Sequence, residues 1–163
     1  MSGLPPGARA VVVTASNRAA AGVYEDRSGQ VLAAGLRELG FAVEGPHVHP
    51  DDVDQLADAL RTAVDSGVDL VVTTGGTGLS PTDVTPEATR QVLEREAPGI
   101  AEAVRRYGAP TVPTAVLSRG LAGTAARTLI VNLPGSTGGV RDGLAVLGPL
   151  LPHVVSQLRG GDH

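Results

Sequence analysis

Residues 68–78 read VDLVVTTGGTG, an apolar run that passes without a break into a glycine-rich turn. The run lacks polar alternation and is too short for a helix, so residues 68–74 read as a strand buried on both faces, as strands of parallel sheets are. Toward the amino end, residues 9–14 (RAVVVT) repeat the pattern, and residues 41–48 supply a third strand. Between these strands lie two helical stretches. In the first, Ser28 is placed to cap a helix whose Val31, Leu32, Gly35, Leu36 and Leu39 share one stripe, with Gly40 where a carboxyl-terminal cap belongs. In the second, residues 51–64 set Val53, Leu56, Leu60 and Val64 at helical spacing, Asp51 and Asp52 sit at the positive end, and Gly67 closes the turn. Strand, helix, strand, helix, strand predicts a mostly parallel sheet with right-handed crossovers and helices on both faces. In such sheets ligands bind at the carboxyl ends of the strands.

Toward the carboxyl end, Thr85-Pro86-Glu87 reads as a helix start with Thr85 as the capping residue. Pro98 ends that helix and begins another, in which Ile100, Val104 and Tyr107 share a stripe. Residues 111–133 read as β-rich and finish in a strand over 128–133 (TLIVNL), which runs into a second glycine-rich loop at 134–139. Positions 140, 144, 147, 151, 154 and 158 are all Val or Leu, the pattern of one or two amphipathic helices kinked near Pro149 and Pro152.

Composition narrows the chemistry. The 163 residues suit one domain. All 13 basic residues are Arg, and there is no Cys and no Trp. A thiol nucleophile, a disulfide framework, a Lys Schiff base and a Walker-type phosphate loop are therefore excluded. A net charge of -4, one Phe and two Tyr argue against nucleic acid and anionic membranes as partners. No apolar stretch is long enough to cross a bilayer, and the reading is of a soluble, cytoplasmic protein.

Three groups of residues could carry chemistry. The turn Gly75-Gly76-Thr77-Gly78 can present backbone N–H groups to an anion, or can simply be a tight turn that needs positive φ. Asp51 and Asp83 each follow a strand and precede a helix, so they meet at one sheet edge and could hold Mg2+ against phosphate oxygens, position a nucleophile, or accept hydrogen bonds from a polar heterocycle. Asp51 equally suits a helix cap and Asp83 an Asx turn, and spacing leaves both readings open. Asn132-Leu133-Pro134-Gly135-Ser136 forms the third group, with Ser118 and Arg119 upstream. The Arg119 fork suits phosphate, although a surface ion pair is the commoner fate of an Arg. The four His residues show no metal-ligand spacing on one helix face.

Taken together, residues 73–78, the segment SPTDVTPEAT at 80–89, Leu117-Ser118-Arg119 and NLPGS at 132–136 resemble the molybdopterin adenylyltransferase family, the Mog-type proteins related to the gephyrin G domain. The likeness runs from the first strand to about Leu158 and includes GVYEDRSG at 22–29. It implies a three-layer α/β/α fold with a mostly parallel sheet, formed by one molybdopterin-binding domain over residues 1–163, with 1–8 as a flexible tail. It further implies a homotrimer that binds molybdopterin and ATP and uses Mg2+ to transfer AMP to the terminal phosphate of molybdopterin. The molybdenum-inserting protein of the same pathway is an implied partner. By this likeness Asp51 and Asp83 are the catalytic acids. Gly75, Gly76, Thr77, Gly78, Ser80, Ser118, Arg119, Asn132, Pro134, Gly135 and Ser136 bind substrate and nucleotide. Asn17 stands where many members carry Asp, and Thr82 where many carry Arg, which keeps a non-catalytic molybdopterin-binding scaffold as the alternative. Exposed aliphatic positions within 140–158 are the expected trimer surface.

Overall fold

The structure is a computed structural model and describes residues 3–162. Its elements are β1 (Arg9–Ala15), α1 (Asn17–Ala20), α2 (Arg27–Glu38), β2 (Ala42–His49), α3 (Val53–Asp65), β3 (Leu70–Thr74), α4 (Thr85–Val92), β4 (Arg95–Glu96), α5 (Pro98–Gly108), a 3-10 turn (Pro113–Leu117), β5 (Ala122–Ala125), β6 (Thr128–Leu133), α6 (Thr137–Leu147) and α7 (Leu151–Leu158). One six-stranded sheet has the order β2-β1-β3-β6-β5-β4. β2, β1, β3 and β6 run parallel, while β5 is antiparallel to β6 and β4 to β5.

The Val-rich strands explain the layering. A strand turns successive side chains to opposite faces, so a strand that is apolar throughout must be covered twice. Ala10 and Val12 of β1, Leu70 and Val72 of β3, and Leu129, Val131 and Leu133 of β6 pack with Leu32 and Leu36 of α2 and with Val140, Leu147, Leu151 and Val155 of α6 and α7. The alternate residues Val11, Val13, Val71 and Ile130 face Leu56, Leu60 and Ala63 of α3 and Ala88 of α4. The result is the three-layer α/β/α arrangement. Gly35 belongs to the apolar stripe because a Cβ there would overlap the Leu144 side chain of α6.

Local chemistry differs from the sequence reading at several helix ends. Asp26, not Ser28, caps α2 by accepting from Gly29 N, and Asp52, not Asp51, caps α3 by accepting from Gln55 N. Both shifts release a polar residue for the sheet edge, since Asp26, two positions before Ser28, and Asp52, one position after Asp51, meet the first free N–H groups. Thr85 is the first residue of α4 and caps nothing; Val84 holds the cap position. Tyr107 is exposed, and Ile100 and Val104 alone of their stripe pack against the core. Within 111–133, Pro113 begins a 3-10 turn and leaves only β5 and β6 as strand.

The aliphatic positions of 140–158 do not form an exposed surface. Val140, Leu147, Leu151 and Val155 are fully buried against this chain's own sheet, and Leu144, Val154 and Leu158 pack at the edge of the same core. Of the expected tail, Met1 and Ser2 lie outside the described residues, Leu4 packs against the core, and Pro6 O accepts from Arg159 Nη1 (2.8 Å).

At the edge away from the strands' carboxyl ends, a bidentate ion pair joins the carboxyl-terminal helix to the sheet. Arg159 Nε and Nη2 donate to Asp69 Oδ1 and Oδ2 (both 2.9 Å), and Arg9 N donates to Oδ2 (2.9 Å). Burial pushes the Asp69 pKa up, but the Arg159 fork and the Arg9 N–H outweigh it and hold the carboxyl below its ordinary value. A depressed carboxylate contributes stability above the unfolded-state pKa and loses it as pH falls through the folded-state value. Asp69→Asn is therefore expected to cost about 2 kcal/mol near neutral pH, a fall in Tm of about 4–8 °C, with the deficit shrinking in acid. Thermal melts of both proteins across that pH range measure it.

Candidate functional site

Parallel strands end together, so the turns after β1, β2, β3 and β6 all open on one edge. The chain leaves β1 toward β2 on one side and β3 on the other, which makes the β1/β3 boundary the switch point where open α/β sheets bind ligands. Gly75, at φ 95°, lies against the Ala15 carbonyl, where any Cβ would collide. A Cβ on Gly135 would in turn sit 3.2 Å from Gly75 Cα. Main chain thus packs on main chain across β1, β3 and β6: only glycine fits at Gly75, and a Cβ at Gly135 would be tightly crowded. Gly76 follows at φ 68°, so the tight-turn reading of these glycines is realised. The N–H groups of Gly76, Thr77 and Gly78 donate to no other described residue and remain available to an anion.

Asp51 and Asp83 come together at this edge. Asp51 and Asn17 clasp each other: Asp51 N donates to Asn17 Oδ1 (2.8 Å), and Asn17 N donates to Asp51 Oδ2 (3.3 Å). Burial raises the Asp51 pKa above its ordinary value, the Asn17 N–H partly opposes this, and the charge of Asp83 adds to the rise. Asp83 closes no Asx turn, because Thr85 N, two residues on, donates to Gly76 O (3.1 Å); its carboxylate reaches back instead, Oδ2 accepting from Ser80 N (3.0 Å), while Asp83 N donates to Ser80 O (2.9 Å). Gly78 admits that carboxylate, as a Cβ there would lie 2.8 Å from Asp83 Oδ2. Ser80 itself is exposed and engages Thr82 (3.1 Å) on this turn.

Two clefts flank the acids. One, of about 450 Å3, is lined by Ser16, Asn17, Arg18, Tyr24, Asp26, Arg27, Asp51, Thr82 and Thr137. The other, of about 580 Å3, lies between Thr77, Gly78, Val112, Leu117, Ser118, Pro134, Ser136 and Asp142. Gly76, Asp83 and Gly135 line both and form their common rim. Ser136 caps α6 by accepting from Gly139 N (3.0 Å), which directs the positive helix end at this rim.

Two expected ligand contacts are instead internal. Arg119 donates from Nε to Gly78 O (2.8 Å), from Nη2 to Asp83 O (2.8 Å) and from Nη1 to Glu87 (2.7 Å). It fastens the 78–87 segment, and through it Asp83. Asn132 is buried, donating to Thr73 Oγ1 (3.0 Å) and Thr89 Oγ1 (2.9 Å) and accepting from Leu121 N (3.0 Å), so its amide is fully used in the core.

Other site residues were assigned no role from sequence. Thr14 Oγ1 donates to Asp26 Oδ2 (2.8 Å) and Thr74 Oγ1 to Pro134 O (2.7 Å), tying α2 and the 134–139 loop to the strand ends. Arg18, Tyr24 and Arg27 bring two cations and a ring to the first cleft. Their signal was the GVYEDRSG segment, whose parts are unremarkable singly. Among the described residues no group of three or more His, Cys, Asp or Glu is arranged to hold a metal ion, and no helix is long and apolar enough to cross a membrane. His47 pairs with Glu44 (2.9 Å), and His163 lies outside the described residues.

Glycine-rich turns, a helix amino end, Asp51, Asp83 and two adjoining clefts thus gather at the switch point of an open α/β sheet. Residues 11–153 match the family described as "Probable molybdopterin binding domain", and the chain belongs to it. A molybdopterin adenylyltransferase of Helicobacter pylori is 41% identical over 155 residues, covering 91% of this chain and 86% of that one. A molybdenum cofactor biosynthesis bifunctional protein of Chlorobaculum tepidum is 36% identical, and there the match takes 95% of this chain but only 50% of the longer relative. Among solved structures, the molybdopterin biosynthesis Mog protein of Mycobacterium ulcerans superposes with a TM-score of 0.89 at 51% identity, covering 93% of this chain and 99% of that one.

The raised Asp51 pKa has a sign that can be tested. A carboxyl whose folded-state pKa lies above the unfolded value stabilises the fold only while protonated, and the benefit is lost as pH rises through the folded-state value. Asp51→Asn is expected to melt higher than the parent near neutral pH, with the two curves converging below the ordinary carboxylate range. Melting temperature against pH checks it.

Proposed function

We propose that this chain is a molybdopterin adenylyltransferase of molybdenum cofactor biosynthesis, acting in the cytoplasm on molybdopterin and ATP. The observation that carries the reading is the pair of clefts meeting at Gly76, Asp83 and Gly135, which lets two phosphate-bearing substrates face each other across one rim. An oxygen of the terminal phosphate of molybdopterin attacks the α-phosphorus of ATP. The bond from that phosphorus to the bridging oxygen breaks, and pyrophosphate leaves with the electron pair. A phosphate monoester is largely ionised at neutral pH, so the nucleophile needs no general base. What the site must supply is alignment and charge compensation.

The chain offers three sources of compensation. The N–H groups of Gly76, Thr77 and Gly78 and the amino end of α6 receive phosphate oxygens, and Arg18 and Arg27 do the work that Lys does elsewhere. Asp51 and Asp83 fit a Mg2+ ion, because Asp51 Oδ1 is buried without a partner and Mg2+ is commonly held by one or two carboxylates with substrate phosphates completing its shell. When bound, Mg2+ supplies neutralisation of the phosphate charge. Arg119 keeps Asp83 in position from outside the clefts.

Asn17 and Thr82 favour a second reading, a non-catalytic molybdopterin-binding scaffold, since each removes a charge that many relatives carry. Incubation with molybdopterin, ATP and Mg2+ separates the two: release of pyrophosphate supports the enzyme, and tight binding without release supports the scaffold. Within the enzyme reading, Asp83→Asn should lower kcat on the order of 100-fold, whereas wild-type turnover in that variant would reduce Asp83 to a turn residue.

A homotrimer is also proposed, its apolar surface supplied by exposed Tyr107, Val112, Val116 and Leu117. Light scattering should give three times the 16.4 kDa chain mass, and a monomer mass would refute it. The bifunctional relative, about twice this chain's length, supports a partnership with the molybdenum-inserting protein of the pathway.

A further inference from the structure

The ladder between β5 and β6 ends on a side chain. Ala122 pairs with Val131 in antiparallel register, so Leu121 falls opposite Asn132. Asn132 N donates to Leu121 O (2.9 Å), and in an antiparallel pair of this kind the return bond normally runs from Leu121 N to the main-chain oxygen of Asn132. Here Leu121 N donates to Asn132 Oδ1 instead (3.0 Å). The side-chain carbonyl takes the place of the main-chain one, and the pairing stops. Buried Gly120 then passes close over the bypassed carbonyl, where a Cβ would sit 2.9 Å from Asn132 O. Beyond it, Arg119 N donates to Thr77 O on the glycine-rich turn (2.8 Å), and Ser118 lines the second cleft. We infer that Asn132 is a positioning residue whose side chain terminates the β5–β6 ladder and turns residues 118–121 across the sheet edge onto the second cleft.

The same amide sets two further segments against this one. Its Nδ2 donates to Thr73 Oγ1 (3.0 Å), two residues before Gly75, and to Thr89 Oγ1 (2.9 Å) on α4, the helix that follows Asp83. One planar group thereby joins the strand that leads into the glycine-rich turn, the helix behind the Asp83 turn and the segment carrying Ser118. The core itself does not call for an amide. Asn132 is 4% exposed on the strand face of Ile130, which packs in the apolar layer under α3 and α4, and Leu has a similar size with no polar atom to satisfy. A Leu there has no side-chain oxygen, so Leu121 N would return to the main-chain carbonyl and the ladder would lengthen, drawing residues 118–120 along β6 and away from Thr77. Arg105 grips the redirected segment from its other side, Nη1 donating to Ser118 O (3.1 Å) and Gly120 O (3.0 Å).

An effect on turnover presupposes the adenylyl-transfer reading, whereas an effect on residues 118–121 does not, and the two are measured separately. In the parent protein, NMR coupling across the hydrogen bond should link the Leu121 amide nitrogen to the side-chain carbonyl carbon of Asn132; coupling to its main-chain carbonyl instead overturns the inference, whether or not any variant folds. Asn132→Leu removes the amide. Asn132→Asp keeps an oxygen for Leu121 N, and the Thr73 and Thr89 hydroxyls, which donate as well as accept, can turn to its other oxygen. Amide hydrogen exchange at Arg119 should be several-fold faster in the Leu variant, with exchange in β1 unchanged, and should stay close to the parent value in the Asp variant. The kcat for AMP transfer should fall about tenfold in the Leu variant and largely return in the Asp variant. Unchanged Arg119 exchange in the Leu variant, or the same loss in both variants, overturns the role of Asn132. Altered exchange in the Leu variant of a protein that never releases pyrophosphate sustains that role and removes the adenylyl-transfer reading instead.

Discussion

Everything at the site depends on how closely three strand ends approach one another. Gly75 lies on the carbonyl of Ala15, and Gly135 lies on Gly75, so β1, β3 and β6 finish with main chain against main chain. A side chain at Gly75 would push the turns apart, and one at Gly135 would crowd the same contact. That contact sets the two clefts side by side and brings the Asp83 turn to the same rim as Asp51. The polar ties around it, Thr74 to Pro134 and Thr14 to Asp26, hold the flanking loop and helix to the same frame.

The electrostatics follow from a chain without Lys. Four of its Arg residues divide between two duties. Arg18 and Arg27 face the first cleft, while Arg119 and Arg159 are spent inside the fold, one on the segment that carries Asp83 and the other on buried Asp69. A planar fork with several donors suits the second duty, because it can bind a carboxylate and carbonyl oxygens at once. Glu87 opposite Arg119 is correspondingly held below its ordinary pKa, mainly by that hydrogen bond. Asp51 is shifted the other way: burial raises its pKa, the Asn17 N–H partly opposes this, and the nearby charge of Asp83 adds to the rise.

Much of the fold was legible because the strongest signals were local. Unbroken Val runs at 9–14 and 68–74 demand cover on both faces, and the stripes of α2 and α3 supply it. Helix ends were harder to place. Ser28 reads as a cap and Asp51 as either a cap or a functional acid, but Asp26 and Asp52 reach the free N–H groups. The aliphatic stripe of 140–158 was legible as helix but not as core, because periodicity marks an apolar face without saying which molecule covers it. Asn132 and Arg119 look like ligand contacts in one dimension, since a polar residue beside a glycine-rich loop does not reveal whether its partners are already inside the protein.

By itself, then, the sequence determined the layered α/β architecture, the sheet edge at which the two acids and two glycine-rich turns gather, and the family resemblance that joins them. It also determined that no Lys and no Cys takes part in whatever the site does. Tertiary structure alone decided that Asp51 and Asn17 clasp each other across 34 positions, that Arg119 serves Asp83, and that the Asn132 side chain takes the Leu121 N–H. The reason is physical: periodicity and propensity act between neighbours along the chain, whereas hydrogen bonds and burial at a switch point join residues from different strands, whose spacing is set only when the sheet closes around them.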